Sequence, residues 1–286
     1  MENKNIFIFV CLLILILLGL MNLNEYFGNK SLKKKIVIIE PRNHPNLLNL
    51  INNIINNKPK DWDIQAFVGK DLDISKLPKK DNQDNLIIYT RLKSNNLFSN
   101  HYNNLFKTVD FWNQIDAEYI QIMQTDSALC SNSKFNLDQF IKFPYIGCSS
   151  WLHAWSDKLH NIEDKNEISC LGIGGFSLRQ KSVMIECIND SKKMKFTGNE
   201  NELTEKSAVL GGEDFFFARC IVKKKLKIPT ENDMINYCIE YNFKEDSEIP
   251  VGIHTSQISK KAEKFMSKKC PDGKYAIKNI KKIDII

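Results

Sequence analysis

Short apolar runs alternate with longer segments of helical periodicity between residues 36 and 126, and this alternation limits the fold more than any other feature. Ile36–Glu40 (IVIIE), Asp63–Gly69 (DIQAFVG), Leu86–Leu92 (LIIYTRL) and the run from Tyr119 that ends at Asp126 (YIQIMQTD) carry the Ile, Val, Phe and Tyr content of buried strands. His44–Asn57 places Leu47, Leu48, Ile51, Ile54 and Ile55 at helical spacing, with Pro45 in the first turn. His101–Ile115 reads as one helix with Leu105, Phe106, Val109 and Trp112 on its inner face, and the charged Lys70–Asn85, which contains Pro78, reads as a loop. Strands alternating with helices predict an α/β fold built on a mainly parallel sheet flanked by helices. Ligands in such sheets gather beyond the carboxyl ends of the strands. Glu40, Arg91 and Asp126 fall there.

The chain has 286 residues, 43% of them hydrophobic, enough for one substantial core. Its 40 basic residues only modestly outnumber the 34 acidic ones, lysine is spread along the whole length, and no stripe interleaves basic with aromatic residues. A solvated surface explains this pattern, and no nucleic-acid partner is expected. The N-terminus is different in kind. Asn5–Asn24 is uncharged and Ile6–Leu18 is unbroken apolar sequence; as helix, residues 6–23 would span about 27 Å, enough to cross a hydrocarbon core. Gly19 is followed by Leu-Met-Asn-Leu-Asn-Glu rather than by a small-residue cleavage site, so this stretch reads as an uncleaved transmembrane anchor and not as a signal peptide. Lys4 on one flank opposes Lys30 and Lys33–Lys35 on the other, which leaves the anchor's direction open, the following domain being lumenal if the topology is type II.

Apart from Cys11 in the apolar segment, the cysteines at 130, 148, 170, 187, 220, 238 and 270 are widely spaced without a C-x-x-C pair. That spacing excludes zinc ribbons and thioredoxin-like sites. Seven is odd, so at least one thiol stays unpaired within the chain, and the set is read as buried and reduced.

Four clusters and one histidine carry potential chemistry. Glu40-Pro41-Arg42-Asn43-His44 closes the first strand, and an arginine fork there suits a phosphate or a uracil carbonyl. Gln124-Thr125-Asp126 offers a carboxylate of the kind that binds Mg²⁺ or Mn²⁺ together with substrate phosphates. The paired Gly174-Gly175 either lets a ligand approach the backbone or marks a tight turn. Glu213 and Asp214 follow Gly211-Gly212 at an expected helix start, where one could act as a general base or both could complement the helix dipole. His254 lies in the short apolar stretch VGIHT and needs a carboxylate partner before it can ligate a metal. G-x-x-x-x-G-K-[ST], G-x-G-x-x-G between strand and helix, and G-x-S-x-G do not occur, which disfavours P-loop, dinucleotide-binding and α/β-hydrolase readings.

In this order, FWNQIDAEYIQIMQTDSALC, FPYIGCSSW, GIGGFSLRQKS, GGEDFFFA and IPVGIHTSQ resemble the DUF5672 family, which is grouped with glycosyltransferases of GT-A fold, and the opening IVIIEPRNHPNLLNLINNIINN is similar to the family's first strand and helix. The resemblance covers about residues 36–257. A more distant likeness is to the β-1,4-galactosyltransferases, whose nucleotide-contacting PFRNR, FGGVS and GGED are similar to EPRNH, GGFSL and GGED here. The resemblance implies a GT-A-like, Rossmann-like sheet over residues 36–260, preceded by the anchor (6–23) and a polar stem (24–35) and followed by a basic tail (261–286). It implies a nucleotide-sugar donor held by Glu40, Arg42, Arg91, Gln124, Thr125, Asp126, Gly174 and Gly175. Asp126 and His254 would bind Mn²⁺ or Mg²⁺, Asp214 would be the base, and Glu213 would bind an acceptor hydroxyl of a glycan, protein or lipid. Gln124 occupies the place of the first aspartate of a DxD motif, and Ile173 stands where family members often have asparagine. A tethered binding or structural protein of the same fold that has lost turnover is the alternative.

If residues 6–23 anchor the chain, full-length protein sediments with membranes and resists alkaline carbonate extraction, and deletion of residues 1–24 releases it. Recovery of the intact chain in the soluble fraction contradicts the anchor.

Overall fold

The computed structural model describes residues 32–149, 171–193, 212–240, 244–256 and 260–278, and the compact unit carrying the fold begins at Lys34. The expected anchor and most of the stem lie outside the described residues, among which no helix is long and apolar enough to cross a membrane.

In chain order the elements are β1 (Lys34–Glu40), α1 (Leu47–Asn57), β2 (Trp62–Val68), β3 (Ile88–Arg91), α2 (Ser99–Phe106), α3 (Val109–Asn113), β4 (Tyr119–Met123), β5 (Ser127–Leu129) and β6 (Tyr145–Cys148). There follow β7 (Ile173–Gln180), α4 (Lys181–Lys193), α5 (Glu213–Lys223), α6 (Glu231–Tyr237), β8 (Cys238–Ile239), β9 (Gly252–His254), α7 (Lys260–Lys269) and α8 (Lys274–Lys278). The main sheet has the order β3-β2-β1-β4-β7-β6. β1 to β4 run parallel, and β7 is antiparallel to both of its neighbours. The mixed, mainly parallel sheet expected from the alternation is present.

Both faces of this sheet are covered, and β1 displays why its sequence is apolar throughout. Ile36 and Ile38 point to one side and pack with Leu47, Leu50, Ile51 and Ile54 of α1. Val37 and Ile39 point to the other, where Phe106 of α2, Phe111 and Trp112 of α3, Met184 of α4 and Phe217 of α5 meet. Fully burying one such side chain is worth about 1.5–3 kcal/mol.

Several boundaries differ from expectation for identifiable reasons. The helix expected over His101–Ile115 is two helices, because Thr108 is extended (φ −115°, ψ 134°) and the Trp112 indole N–H takes the Phe106 carbonyl at 2.7 Å. The first helix starts at Leu47 rather than His44, with the Asn46 N–H donating to His44 Nδ1 at 3.1 Å ahead of it. β4 ends at Met123, and Gln124–Asp126 form a turn closed by the Ser127 N–H on the Gln124 carbonyl. The segment expected as a basic tail folds: α7 and α8 bring Met266, Cys270 and Ile277 into an apolar cluster with Ala128, Ile239 and Ile253.

The reduced state expected of the cysteines is overturned. Disulfides join Cys130–Cys270, Cys148–Cys238 and Cys187–Cys220 across 140, 90 and 33 residues. Such separations leave no local signature, since only the tertiary fold brings the partners together. Cys11 and Cys170 lie outside the described residues. Peptide mapping without reductant should recover these three pairs. Each native disulfide typically contributes about 2–5 kcal/mol, so dithiothreitol should markedly lower the melting temperature; free thiols at all six positions in the folded protein contradict the assignment.

Candidate functional site

The order of the main sheet creates a topological switch point. From β1 the chain crosses to β2 on one side, whereas β4 lies on the other, so a crevice opens between the carboxyl ends of β1 and β4. The end of β1 delivers Glu40, which is buried, and Arg42, whose side chain is about half exposed. Arg42 Nε and Nη2 donate to the two Glu40 carboxylate oxygens at 2.8 Å each, and its backbone N–H donates to Oε1 at 3.0 Å. These hydrogen bonds to Glu40 raise the guanidinium pKa further. The end of β4 delivers Gln124, Thr125 and Asp126. Thr125 Oγ1 lies 3.4 Å from Glu40 Oε2, and Asn46 Nδ2 donates to the Thr125 carbonyl at 3.2 Å, so the two strand ends are laced together.

A second, three-stranded sheet of order β5-β9-β8 stands beside this crevice. β5 begins directly after Asp126 and pairs antiparallel with β9, Ser127 opposite His254. The Thr255 N–H and hydroxyl both donate to the Asp126 carbonyl at 2.9 Å. β8 pairs parallel with β9, Ile239 beside Ile253, which brings the next residue, Glu240, alongside His254. Asp126, His254 and Glu240 therefore form a line. His254 Nε2 lies 3.3 Å from Asp126 Oδ1 and 3.3 Å from Gln124 Oε1, while Nδ1 lies 3.3 Å from Glu240 Oε1. Burial works against a charged ring at His254, but the two flanking carboxylates outweigh it and raise its pKa well above the ordinary value. Burial likewise opposes ionisation of Asp126, and His254 outweighs it, holding the carboxyl below the usual aspartate range. Asp126 Oδ1, Gln124 Oε1 and His254 Nε2 could together hold a divalent cation. Among the described residues no group of three His, Cys, Asp or Glu side chains makes a metal cage by itself.

Gly174 and Gly175 lie within β7, at a register jump where Gly147 pairs with Ser177 and Cys148 with Ile173. Bulges of this kind re-aim residues beside functional sites. A Cβ on Gly175 would fall 2.3 Å from His254 Nε2, and one on Gly174 would fall 2.2 Å from Glu213 Oε1. The space beside both glycines is thus taken by side chains of this chain. On the Gly174 side Arg179 is fully buried and holds Glu213 through two hydrogen bonds of 2.6 and 2.9 Å. Its guanidinium is stacked among the rings of Phe106, Tyr145 and Phe217, 4.6, 5.1 and 5.7 Å from their centroids. Asp214, the next residue, lies in the first turn of α5 with its Oδ1 accepting from the Phe215 N–H at 2.9 Å. Burial first, and the Glu213 charge second, push its carboxyl up to about 6.

The structure thus brings Glu40, Arg42, Gln124, Thr125, Asp126, Gly175 and His254 together, with Gly174, Glu213 and Asp214 adjoining through β7. Arg91 is engaged elsewhere, donating to the carbonyls of Gly69 and Leu72 in the loop after β2. Sequence reasoning missed Glu240 and Tyr102, and it gave no role to Arg179, which closes the run GGFSLR after the paired glycines. The buried hydroxyl of Tyr102 in α2 has no hydrogen-bond partner among the described residues, and burial raises its pKa. Glu240 carries no motif and is identified only by the pairing of β8 with β9.

The two adjacent acids should respond oppositely to neutralisation. Glu213→Gln strips Arg179 of its charge partner and should cost roughly 3–5 kcal/mol of stability. The raised pKa of Asp214 means that the fold prefers its protonated form. That stabilisation is fully present below the ordinary carboxyl value of 3.8 and is lost as pH rises through about 6. Asp214→Asn should therefore be more stable than wild type by roughly 1–3 kcal/mol above about pH 7, with the gain gone by about pH 4. Melting curves of both variants across this range check the signs, and a destabilised Asp214→Asn contradicts a raised Asp214 pKa.

No curated protein matches the chain. The model of a protein family described as a protein of unknown function, DUF5672, matches residues 87–254, which run from just before β3 to the imidazole of β9. This match covers more than half of the chain and includes Gln124–Asp126, Gly174-Gly175, Arg179, Glu213, Asp214, Glu240 and His254, so the protein belongs to the DUF5672 family.

Proposed function

We propose that this protein is a membrane-anchored glycosyltransferase that moves a sugar from a nucleotide-sugar donor, a uridine diphosphate sugar, to a hydroxyl acceptor. The observation that carries this reading is the pairing of two complementary clusters across Gly174-Gly175. One is a set of oxygen and imidazole donors at the switch point, and the other contains the Asp214 carboxyl, which burial pushes up to about 6. In this reading Arg42, held in plane by Glu40, binds a phosphate or the uracil carbonyl. Asp126, Gln124 and His254 suit Mn²⁺ or Mg²⁺, which take one or two carboxylates and complete their shells with substrate phosphates. Such a cation, when bound, supplies charge neutralisation for the departing diphosphate. Asp214 takes the proton of the acceptor hydroxyl, for which a carboxyl near 6 is well matched at neutral pH. Sugar transfer forms a bond between the acceptor oxygen and the anomeric carbon and breaks that carbon's bond to the phosphate oxygen, whose electron pair passes to the diphosphate. Arg179 holds Glu213 and with it the first turn of α5, which fixes Asp214 in position.

Three disulfides support placing the domain in an oxidising compartment, lumenal or extracellular, with the N-terminal anchor in type II orientation. Gln124 in place of a second aspartate favours the other reading, a tethered binding protein without turnover.

Binding of UDP to the full chain should strengthen with Mn²⁺, and Asp126→Asn should abolish that dependence. UDP release from a panel of UDP-sugars should require the cation and slow at least about a hundredfold in Asp214→Asn, with UDP affinity kept. Metal-dependent UDP binding without turnover of any donor selects the binding protein; absence of UDP binding contradicts both readings.

A further inference from the structure

His254 is constrained more tightly than strand pairing requires. The backbone of β9 is already fixed on both sides, by β5 through Ser127 and by β8 through Ile239. Around the side chain three further features converge. Glu240 Oε1 stands 3.3 Å from Nδ1 and itself accepts from the Ser256 hydroxyl. Gly175 leaves the only width in which the ring fits, since a Cβ there would fall 2.4 Å from Cε1. Asp126 and Gln124 meet Nε2 on the opposite edge. Glu240 is fully buried, and among the described residues neither its Oε2 nor His254 Nδ1 has a hydrogen-bond partner, the carboxylate facing Nδ1 at ion-pair distance. Burying a carboxylate this way is costly, and an apolar residue of similar volume would hold the strand more cheaply. A carboxylate beside one nitrogen of an imidazole whose other nitrogen faces a carboxylate and an amide oxygen is the arrangement by which proteins aim a metal-binding histidine.

We propose that Glu240 is a positioning residue: it holds the Nδ1 edge of His254 so that Nε2 faces Asp126 and Gln124, where a divalent cation carrying a diphosphate binds. This rests on the donor site proposed above. Glu240 touches neither cation nor substrate and acts only through the ring. A cation would displace the proton on Nε2, and the carboxylate beside Nδ1 keeps the remaining proton there, so that the Nε2 lone pair serves the cation.

The test measures Mn²⁺ affinity of the full chain in detergent from the free-ion electron paramagnetic resonance signal, with and without UDP, far below the melting temperature. Glu240→Gln preserves shape and removes the charge, and it should weaken Mn²⁺ binding by about 10–100-fold. A purely structural Glu240 would instead shift the melting temperature and leave the affinity of the folded fraction unchanged, and that result overturns the inference alone. Failure of the wild-type chain to bind Mn²⁺ in either condition overturns the donor-site reading and this inference with it. Should Glu240→Gln not fold, two-bond ¹H–¹⁵N correlation of His254 in wild-type protein with Mg²⁺ and UDP decides. A proton on Nδ1 and none on Nε2 is expected, and the reverse tautomer overturns the proposal.

Discussion

The pairing of Ser127 with His254 is the constraint on which the candidate site depends. Side chains on a strand have a period of two, so a slip of one residue in β9 would turn His254 away from Asp126 and bring Ile253 or Thr255 into its place. The Thr255 hydroxyl and N–H, both on the Asp126 carbonyl, resist that slip. β8 extends the same register to Glu240, and the Cys148–Cys238 disulfide ties this two-residue strand to β6 of the main sheet. A sheet of three very short strands thus accomplishes what a long loop could not, holding three ionisable groups about 3.3 Å apart in a row.

Charge is handled in two ways on the two sides of β7. Around His254 the imidazole and the Asp126 carboxylate stabilise each other's ionised forms. Around Arg179 the cation is sealed by three aromatic rings and saturated by Glu213, which leaves Asp214 as a second acid next to a carboxylate already in place. Two neighbours in sequence thereby acquire different properties, one locked in a buried pair and the other held near a pKa of about 6. Glycine at 174 and 175 is required by both arrangements, since either Cβ would collide with a charged group.

Much of this was legible in the sequence where the signal is local. The apolar runs located β1 to β4 within two or three residues, and the rule that ligands gather at strand ends pointed to Glu40, Arg91 and Asp126, of which Glu40 and Asp126 meet at the crevice. The paired acids at the start of α5 were likewise visible from residue type and neighbours. What escaped was set by distant contacts. The break between α2 and α3 depends on an indole that competes for a helix-end carbonyl. The disulfides depend on topology, the folding of Lys260–Lys278 on apolar partners in β8 and β9, and the role of Glu240 on a strand of only two residues. Arg91 had the right position in its strand and the wrong one in the sheet, because β3 lies at the edge, two strands from the switch point.

The order in which the chain is made gives this architecture a temporal side. The carbonyl of Asp126 is capped by Thr255, 129 residues later, and that of Ser127 by the Tyr275 hydroxyl, 148 residues later. β1, α1 and β2 can meet as soon as they leave the ribosome, since their contacts are near neighbours in sequence, whereas the small sheet closes only when the last helices arrive. A nascent chain therefore carries the fork of Arg42 and the carboxylate of Asp126 long before it carries their imidazole partner. Translation that stops short of β9 yields the strands of the main sheet together with Asp126 and Glu240, but not the imidazole that would join the two carboxylates.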